Sequence, residues 1–109
     1  MSSLSNATPQ VHLIGEIKGA TGFDGNRLFC KYEVIHNTNW VLISGKSQGE
    51  TFEEIKDETE DQALWDHPFD LHFKTQSIRG WPKFYLEVWS ADSEGRYSIA
   101  GYGIAVVPF

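Results

Sequence analysis

The fold is decided by one stretch of the sequence, Phe84-Tyr85-Leu86-Glu87-Val88-Trp89. Its first, third and fifth residues are apolar, and they alternate with residues that carry a polar group. Because successive side chains of a β-strand point to opposite faces, this period of two predicts a strand with one face toward a core. The second face carries two large aromatic rings, Tyr85 and Trp89, and therefore needs an explanation of its own.

The same alternation continues on both sides of this stretch. It predicts further strands over residues 11–17, 28–35, 40–43, 69–73 and 97–107, the last of which holds one or two strands. Turn-forming Gly, Asn and Asp residues separate these segments, and the short turn 36–39 predicts that 28–35 and 40–43 form a hairpin. Residues 51–55 are a weaker candidate for a short exposed strand. With seven or eight short strands and no amphipathic helix, the sequence predicts an all-β fold, an antiparallel β-sandwich.

Length and composition are those of one globular domain. The chain has 109 residues, of which 40% are hydrophobic and 14% aromatic, so one core can form. We expect residues 1–9 to be a flexible polar arm and residues 10–109 to be the domain. One cysteine, no long apolar run and no signal-peptide pattern favour a reducing, intracellular setting. The net charge of -6 argues against nucleic acid as a partner.

Enzymatic chemistry finds little support in the residue types. The four histidines do not combine with cysteine at zinc-ligand spacing, and we expect His67 to fix the turn before Pro68. Cys30 lies within an apolar segment, which is typical of a buried structural thiol. The chain has neither a nucleophile elbow nor a phosphate-binding loop. The sequence therefore predicts a non-enzymatic protein with no cofactor.

Two features leave alternatives open. The acidic run between Glu50 and Asp61 is either a solvated loop or a surface that steers a basic partner. The non-core ring of Trp89 is either part of a glycan platform or part of an outer face that a partner covers, because large apolar patches on an outer face normally mark interfaces.

The motifs, taken in chain order, resemble a known family. The first are Val11-His12-Leu13-Ile14-Gly15-Glu16-Ile17, Gly19-Ala20-Thr21-Gly22-Phe23, Leu28-Phe29-Cys30-Lys31, Trp40-Val41-Leu42-Ile43-Ser44-Gly45 and Gly49-Glu50-Thr51. The strongest are Trp65-Asp66-His67-Pro68-Phe69-Asp70-Leu71-His72-Phe73, Gly80-Trp81-Pro82 and Val88-Trp89-Ser90-Ala91-Asp92-Ser93, followed by Gly95-Arg96, Ala100-Gly101-Tyr102-Gly103 and Val107-Pro108. Over residues 10–108 this ordered series is similar to the B9 domain family.

The resemblance implies a fold and a function. The family is a divergent branch of the C2 β-sandwiches, and its proteins are non-enzymatic components of the ciliary transition zone and basal body. They assemble with each other, with the Meckel syndrome type 1 protein and with tectonic-type partners, and they are needed for cilium assembly and for gating of ciliary membrane proteins. We expect the partner contacts to include Trp81, Tyr85 and Trp89.

The C2 resemblance also implies that the calcium loops are degenerate. Asp24 and Asp92 remain acidic, but Ser90 stands where calcium-binding relatives carry an aspartate, and Arg27 puts a cation where an anion is needed. Since calcium requires about six to eight oxygen ligands, we expect no calcium dependence. A calcium-independent, peripheral lipid-binding C2-like module is the alternative function.

The resemblance carries an expectation about the extent of the domain. The B9 region of the family continues past the Val107-Pro108 step into further strands. We therefore expect residues 10–109 to form most of one sandwich without its C-terminal strands, with an exposed strand edge.

Overall fold

A computed structural model describes residues 8–56, 59 and 61–108. Most of the arm predicted over residues 1–9, and part of the acidic run, lie outside the described residues. The described chain contains eight strands: β1 (Gln10–Thr21), β2 (Arg27–Ile35), β3 (Trp40–Ser44), β4 (Gln48–Glu50), β5 (Glu54–Ile55), β6 (Gln62–Thr75), β7 (Lys83–Ala91) and β8 (Tyr97–Val106).

The strands form two antiparallel sheets. The first sheet has three strands in the order β1-β6-β3. The second has five strands, with the order β4-β2-β7-β8 and with β5 paired to the beginning of β2. The prediction of an all-β fold with about eight strands, consistent with a β-sandwich, is confirmed.

The faces that the alternation assigns to the core are buried. In β2, Leu28, Cys30, Tyr32 and Val34 are all buried, whereas the residues between them are not. The main core cluster joins Tyr32 and Val34 of β2 to Leu13, Trp40, Leu71, Phe73, Phe84 and Val107. A smaller cluster of Leu28, Ala63 and Val88 lies apart from it, covered by Phe23 and Trp65.

The prediction that segments 28–35 and 40–43 form a hairpin is wrong. β2 pairs with β7, whereas β3 pairs with β6 in the other sheet. The chain crosses between sheets because the Trp40 side chain enters the core and its Nε1–H donates to the Arg79 carbonyl oxygen at 2.9 Å. Asn37 stabilises the crossing, since its side-chain amide also donates to that carbonyl.

β6 is longer than the alternation indicated, and it runs without interruption through His67 and Pro68. Proline is tolerated here because β3 pairs only with the end of β6 from His72 onward, so that the middle of β6 is paired on one side. A bulge precedes this point, where the pairing with β1 shifts register and Asp66 adopts a φ of 44°. His67 lies within the strand instead of before it, and its Nε2 lies 3.1 Å from the Tyr32 hydroxyl.

The segment between residues 44 and 61 differs in detail from the predicted pattern, whereas the C-terminal segment agrees with it. Of the short exposed strand predicted over residues 51–55, the end alone forms a strand, β5, and an additional strand, β4, precedes it. The C-terminal segment forms one strand, β8, at the edge of the five-stranded sheet. Within the described chain there is no helix of the length and apolarity that a membrane crossing requires.

Candidate functional site

The outward side of the five-stranded sheet carries a continuous group of large side chains. We call it the outer aromatic face, and it consists of Phe29, Lys31, Tyr85, Glu87, Trp89 and Tyr97. β2 and β7 supply most of it, because Phe29 and Lys31 lie directly opposite Trp89 and Glu87 in the ladder. On β2 and β7 these residues alternate with the core residues. The same alternation that directs one set of side chains into the core therefore directs this set outward.

Glu87 occupies the middle of β7 and fixes the two aromatic side chains beside it. The Tyr85 hydroxyl donates to Glu87 Oε2 at 3.0 Å, and Trp89 Nε1–H donates to Oε1 at 3.2 Å. Both donors are two residues away on the same face, within reach of one carboxylate. The hydrogen bond to Glu87 raises the pKa of the Tyr85 hydroxyl, because a neighbouring carboxylate disfavours the phenolate.

The Trp89 indole is held from the neighbouring strand as well. Its ring is nearly parallel to that of Phe29, with centroids 6.4 Å apart, and Lys31 Nζ lies 4.7 Å from the indole centroid. Tyr97 of β8 meets Phe29 edge-on at 5.4 Å. A Trp ring held by a cation and by stacking loses little rotamer freedom when a partner binds, which favours it as an anchor.

Trp81 does not belong to this face. It packs against the main core cluster, with its ring perpendicular to that of Trp40 at 5.2 Å. Its Nε1–H donates to the carbonyl oxygen of Val107 at 2.7 Å. The structure therefore brings Tyr85 and Trp89 together and places Trp81 elsewhere, so Tyr85 and Trp89 are the candidate partner contacts on this face.

The positions that correspond to calcium loops are occupied by contacts within the chain. Asp92 Oδ1 accepts the backbone N–H groups of Glu94 and Arg96 at 2.9 Å, and Oδ2 accepts Arg96 Nε–H at 3.1 Å. These bonds, led by the backbone N–H of Arg96, lower the pKa of the Asp92 carboxyl. This carboxylate closes the turn before β8.

The remaining loop positions are arranged differently from a metal site. Arg27 lies 3.4 Å from Glu53, Asp24 is exposed, and the Ser90 side chain abuts Gly25. Across the residues that the structure describes, no three His, Cys, Asp or Glu side chains cluster so that they could hold a metal ion.

The histidines and the cysteine take structural positions. His12 and His72 are opposite each other on β1 and β6, and their rings stack at 3.9 Å. Burial raises the pKa of the Cys30 thiol to about 11, so the nucleophilic thiolate is scarce at neutral pH. These contacts assign packing roles to all three side chains.

Comparison with protein families decides the relationship. A model of the B9-C2 family, described as "Ciliary basal body-associated, B9 protein", matches residues 11–109. The chain belongs to the B9-C2 family. The family is not a known enzyme class, and its description associates B9-C2 proteins with the ciliary basal body. No solved structure matches the chain.

Individual relatives of this B9-C2 chain are similar over most of its length. "B9 domain-containing protein 2" of Rattus norvegicus is 48% identical over 99 residues, which cover 91% of this chain and 56% of the relative. The Homo sapiens protein of that name is 46% identical over the same share. Homo sapiens "B9 domain-containing protein 1" is 32% identical, over 97% of this chain and 54% of the relative. The similarity to B9 domain-containing protein 2 that the motifs indicate is confirmed, and the chain spans about half the length of these curated relatives.

Sequence reasoning found two members of the outer aromatic face and missed the others. The alternation along β7 could have identified Glu87, because it lies two residues from both Tyr85 and Trp89 and so faces the same side of the strand. No comparable signal existed for Phe29, Lys31 and Tyr97, because their place beside Trp89 depends on which strands pair.

Proposed function

We propose that this B9-C2 domain is a non-enzymatic scaffold module at the ciliary base that binds other B9-type domains through its outer aromatic face. In this role it takes part, with the Meckel syndrome type 1 protein and tectonic-type partners, in a transition-zone complex needed for cilium assembly and gating. The observation that carries the proposal is the ordered face around Trp89, in a chain that belongs to a basal-body-associated family.

The chemistry of this face suits a protein partner. Tyr and Trp are enriched at the energetic centres of interfaces, and their polar atoms usually have a hydrogen-bond partner when they are buried. Both the Tyr85 hydroxyl and the Trp89 indole N–H bond to Glu87, so burying the rings under a partner leaves neither donor unpaired.

Charge favours a protein partner over a lipid surface. The net charge is -6, and an anionic membrane attracts clusters of basic residues. Five of the nine Lys and Arg side chains already lie in an ion pair or over an aromatic ring: Lys18, Arg27, Lys31, Lys56 and Arg96. The alternative of calcium-independent lipid binding therefore has less support than the scaffold function.

A binding titration tests the proposal directly. The purified chain is titrated against recombinant Homo sapiens B9 domain-containing protein 1, and Trp89→Ala is expected to weaken binding at least about tenfold, as removal of an interface anchor does. Ile78→Ala is the matched control, because Ile78 is 74% exposed and lies outside the outer aromatic face. Equal affinities for Trp89→Ala and the wild-type chain would contradict the assignment of the face.

Capture from ciliated cells tests the wider role. The wild-type chain is expected to recover other B9-domain proteins and transition-zone components, and Trp89→Ala is expected to recover fewer. Co-sedimentation with phosphatidylserine vesicles at low and physiological salt tests the alternative function, calcium-independent lipid binding. Membrane binding that survives physiological salt, together with no recovery of transition-zone proteins, would favour the lipid-binding function.

A further inference from the structure

Within the described part of the chain, β8 forms an edge of the five-stranded sheet. Among the described residues it pairs with β7 and with no other strand. Nine of its ten residues are exposed, including Tyr102 at 77% and Ile104 at 64%. Its outer N–H and C=O groups are therefore available as a template for another strand.

The usual protections of an edge are weak in β8. Natural edge strands carry charges or proline or are very short, but β8 has ten residues without any Asp, Glu, Lys, Arg or Pro. Each of the other described strands of nine residues or more carries charged side chains. One protection is present: Ala100 lies at a bulge, where the pairing with β7 shifts register. The regular segment beyond it, residues 101–106, is left as a pairing surface.

We propose that this segment pairs edge to edge with β8 of a second copy, giving a two-fold symmetric dimer with one continuous sheet. In such a contact each strand meets an identical strand in the antiparallel direction, so any charge on it would lie close to its own copy. An uncharged strand in a chain of net charge -6 meets this requirement.

The side-chain pattern fits the same symmetry. An axis perpendicular to the sheet keeps each face on its own side, so Tyr102, Ile104 and Val106 of one copy lie beside those of the other. These three side chains are 77%, 64% and 58% exposed in the single chain. On the opposite face the segment carries Gly103 and Ala105, so no bulky side chain on that face obstructs the pairing.

Sedimentation velocity over a wide range of protein concentration tests the dimer. The wild-type chain is expected to show a monomer–dimer equilibrium that strengthens with salt, because salt screens the repulsion between two acidic copies. Ile104→Lys is expected to weaken the dimer at least about tenfold, since a charge on the edge would meet its own copy. Ile14→Lys is the matched control, because Ile14 is 76% exposed on the other sheet and should leave the dimer unchanged.

A disulfide provides a second readout that does not depend on affinity. With Ile104 at the two-fold axis, where it lies opposite its own copy, Ile104→Cys is expected to form an interchain disulfide under mild oxidation, whereas Ile14→Cys is not. Cys30 stays silent in both variants because it is 1% exposed. Thermal unfolding of each variant verifies that it is folded.

The outcomes separate this inference from the proposed function. Trp89→Ala should weaken partner binding at least about tenfold and leave the dimer intact, because Trp89 lies on β7 opposite Ile99, outside the pairing segment 101–106. A wild-type monomer at every concentration, equal weakening by Ile14→Lys, or growth into open-ended assemblies would each overturn the edge-to-edge dimer.

Discussion

At the scale of single residues, Glu87 shows how much one side chain organises. Its two carboxylate oxygens accept hydrogen bonds from the Tyr85 hydroxyl and the Trp89 indole N–H. Lys31, which is opposite Glu87 on β2, lies over the indole. Sequence parity could place Glu87 on the same face as the two rings. The parity could not show that one carboxylate serves both, because that depends on rotamers that packing selects.

The same scale gives a prediction for Cys30. Its pKa rises from 9.0 to about 11, mainly because burial disfavours the thiolate, so its thiolate fraction at neutral pH is about 100-fold lower than that of a free cysteine. We expect the native chain to react with a thiol-specific disulfide reagent at least about 100-fold more slowly than the unfolded chain. The measurement compares labelling rates with and without denaturant at constant pH.

The raised Cys30 pKa also predicts a direction for stability. The unfolded thiol ionises above about pH 9 and the folded thiol only near pH 11, so this contribution is complete below pH 9 and is lost between these values. The Cys30→Ala variant should therefore lose less stability over this range than the wild-type chain does. Rapid labelling of native Cys30 at neutral pH would contradict its buried position.

At the scale of elements, the sequence identified strands better than it identified their neighbours. An alternating segment reveals which residues face a core, and the buried residues of β2 match that expectation fully. It does not reveal which strand lies alongside. β2 and β3 are close in sequence and are joined by a turn-forming segment. β3 nevertheless pairs with β6 in the opposite sheet, where the Trp40 indole is buried in the main core cluster.

The bulge between β1 and β6 yields the prediction at this scale. A Cβ atom at Gly19 would collide with the Ala63 carbonyl oxygen and lie 3.1 Å from the carbonyl carbon. Because both contacts are with backbone, Gly19→Ala must displace a strand, and we expect a loss of about 1–3 kcal/mol in the free energy of unfolding.

Gly103→Ala is the matched control for this substitution. A Cβ at that position meets nothing within 4 Å, so alanine should be neutral or stabilise by a few tenths of a kcal/mol. Urea unfolding of the two variants measures the difference. Equal stability of both would show that the strands at the bulge adapt without cost.

At the scale of the whole molecule, the two sheets are unequal and the core is divided. The three-stranded sheet is narrower, and beside β8 the interior opens as a largely apolar cleft of about 340 Å³ bordered by Ile17, Phe23 and Leu86. The sequence predicted a sandwich, and its family motifs predicted the C2-like class. It could not predict which sheet is the narrower one, because that depends on long-range pairing that no local pattern encodes.

The divided core leads to a prediction about local unfolding. Among the residues that the structure describes, the main cluster contains eight buried residues, whereas the second contains Leu28, Ala63 and Val88. Since apolar burial supplies most of the stabilisation, we expect the end around the second cluster to open in a sub-global event before the whole domain unfolds. Hydrogen exchange should then be faster at residues 19–21 and 62–64 than at residues 32–34 and 71–73, which belong to the main cluster.

Two substitutions separate local from global opening. Phe73 is fully buried in the main cluster, so Phe73→Ala should cost about 3–5 kcal/mol and accelerate the slowest amides throughout the chain. Val88→Ala removes two methyl groups from the second cluster, which costs about 2 kcal/mol. It should accelerate exchange mainly at that end, since the main cluster keeps its contacts. If Val88→Ala instead accelerates every protected amide equally, the two clusters unfold as one cooperative unit.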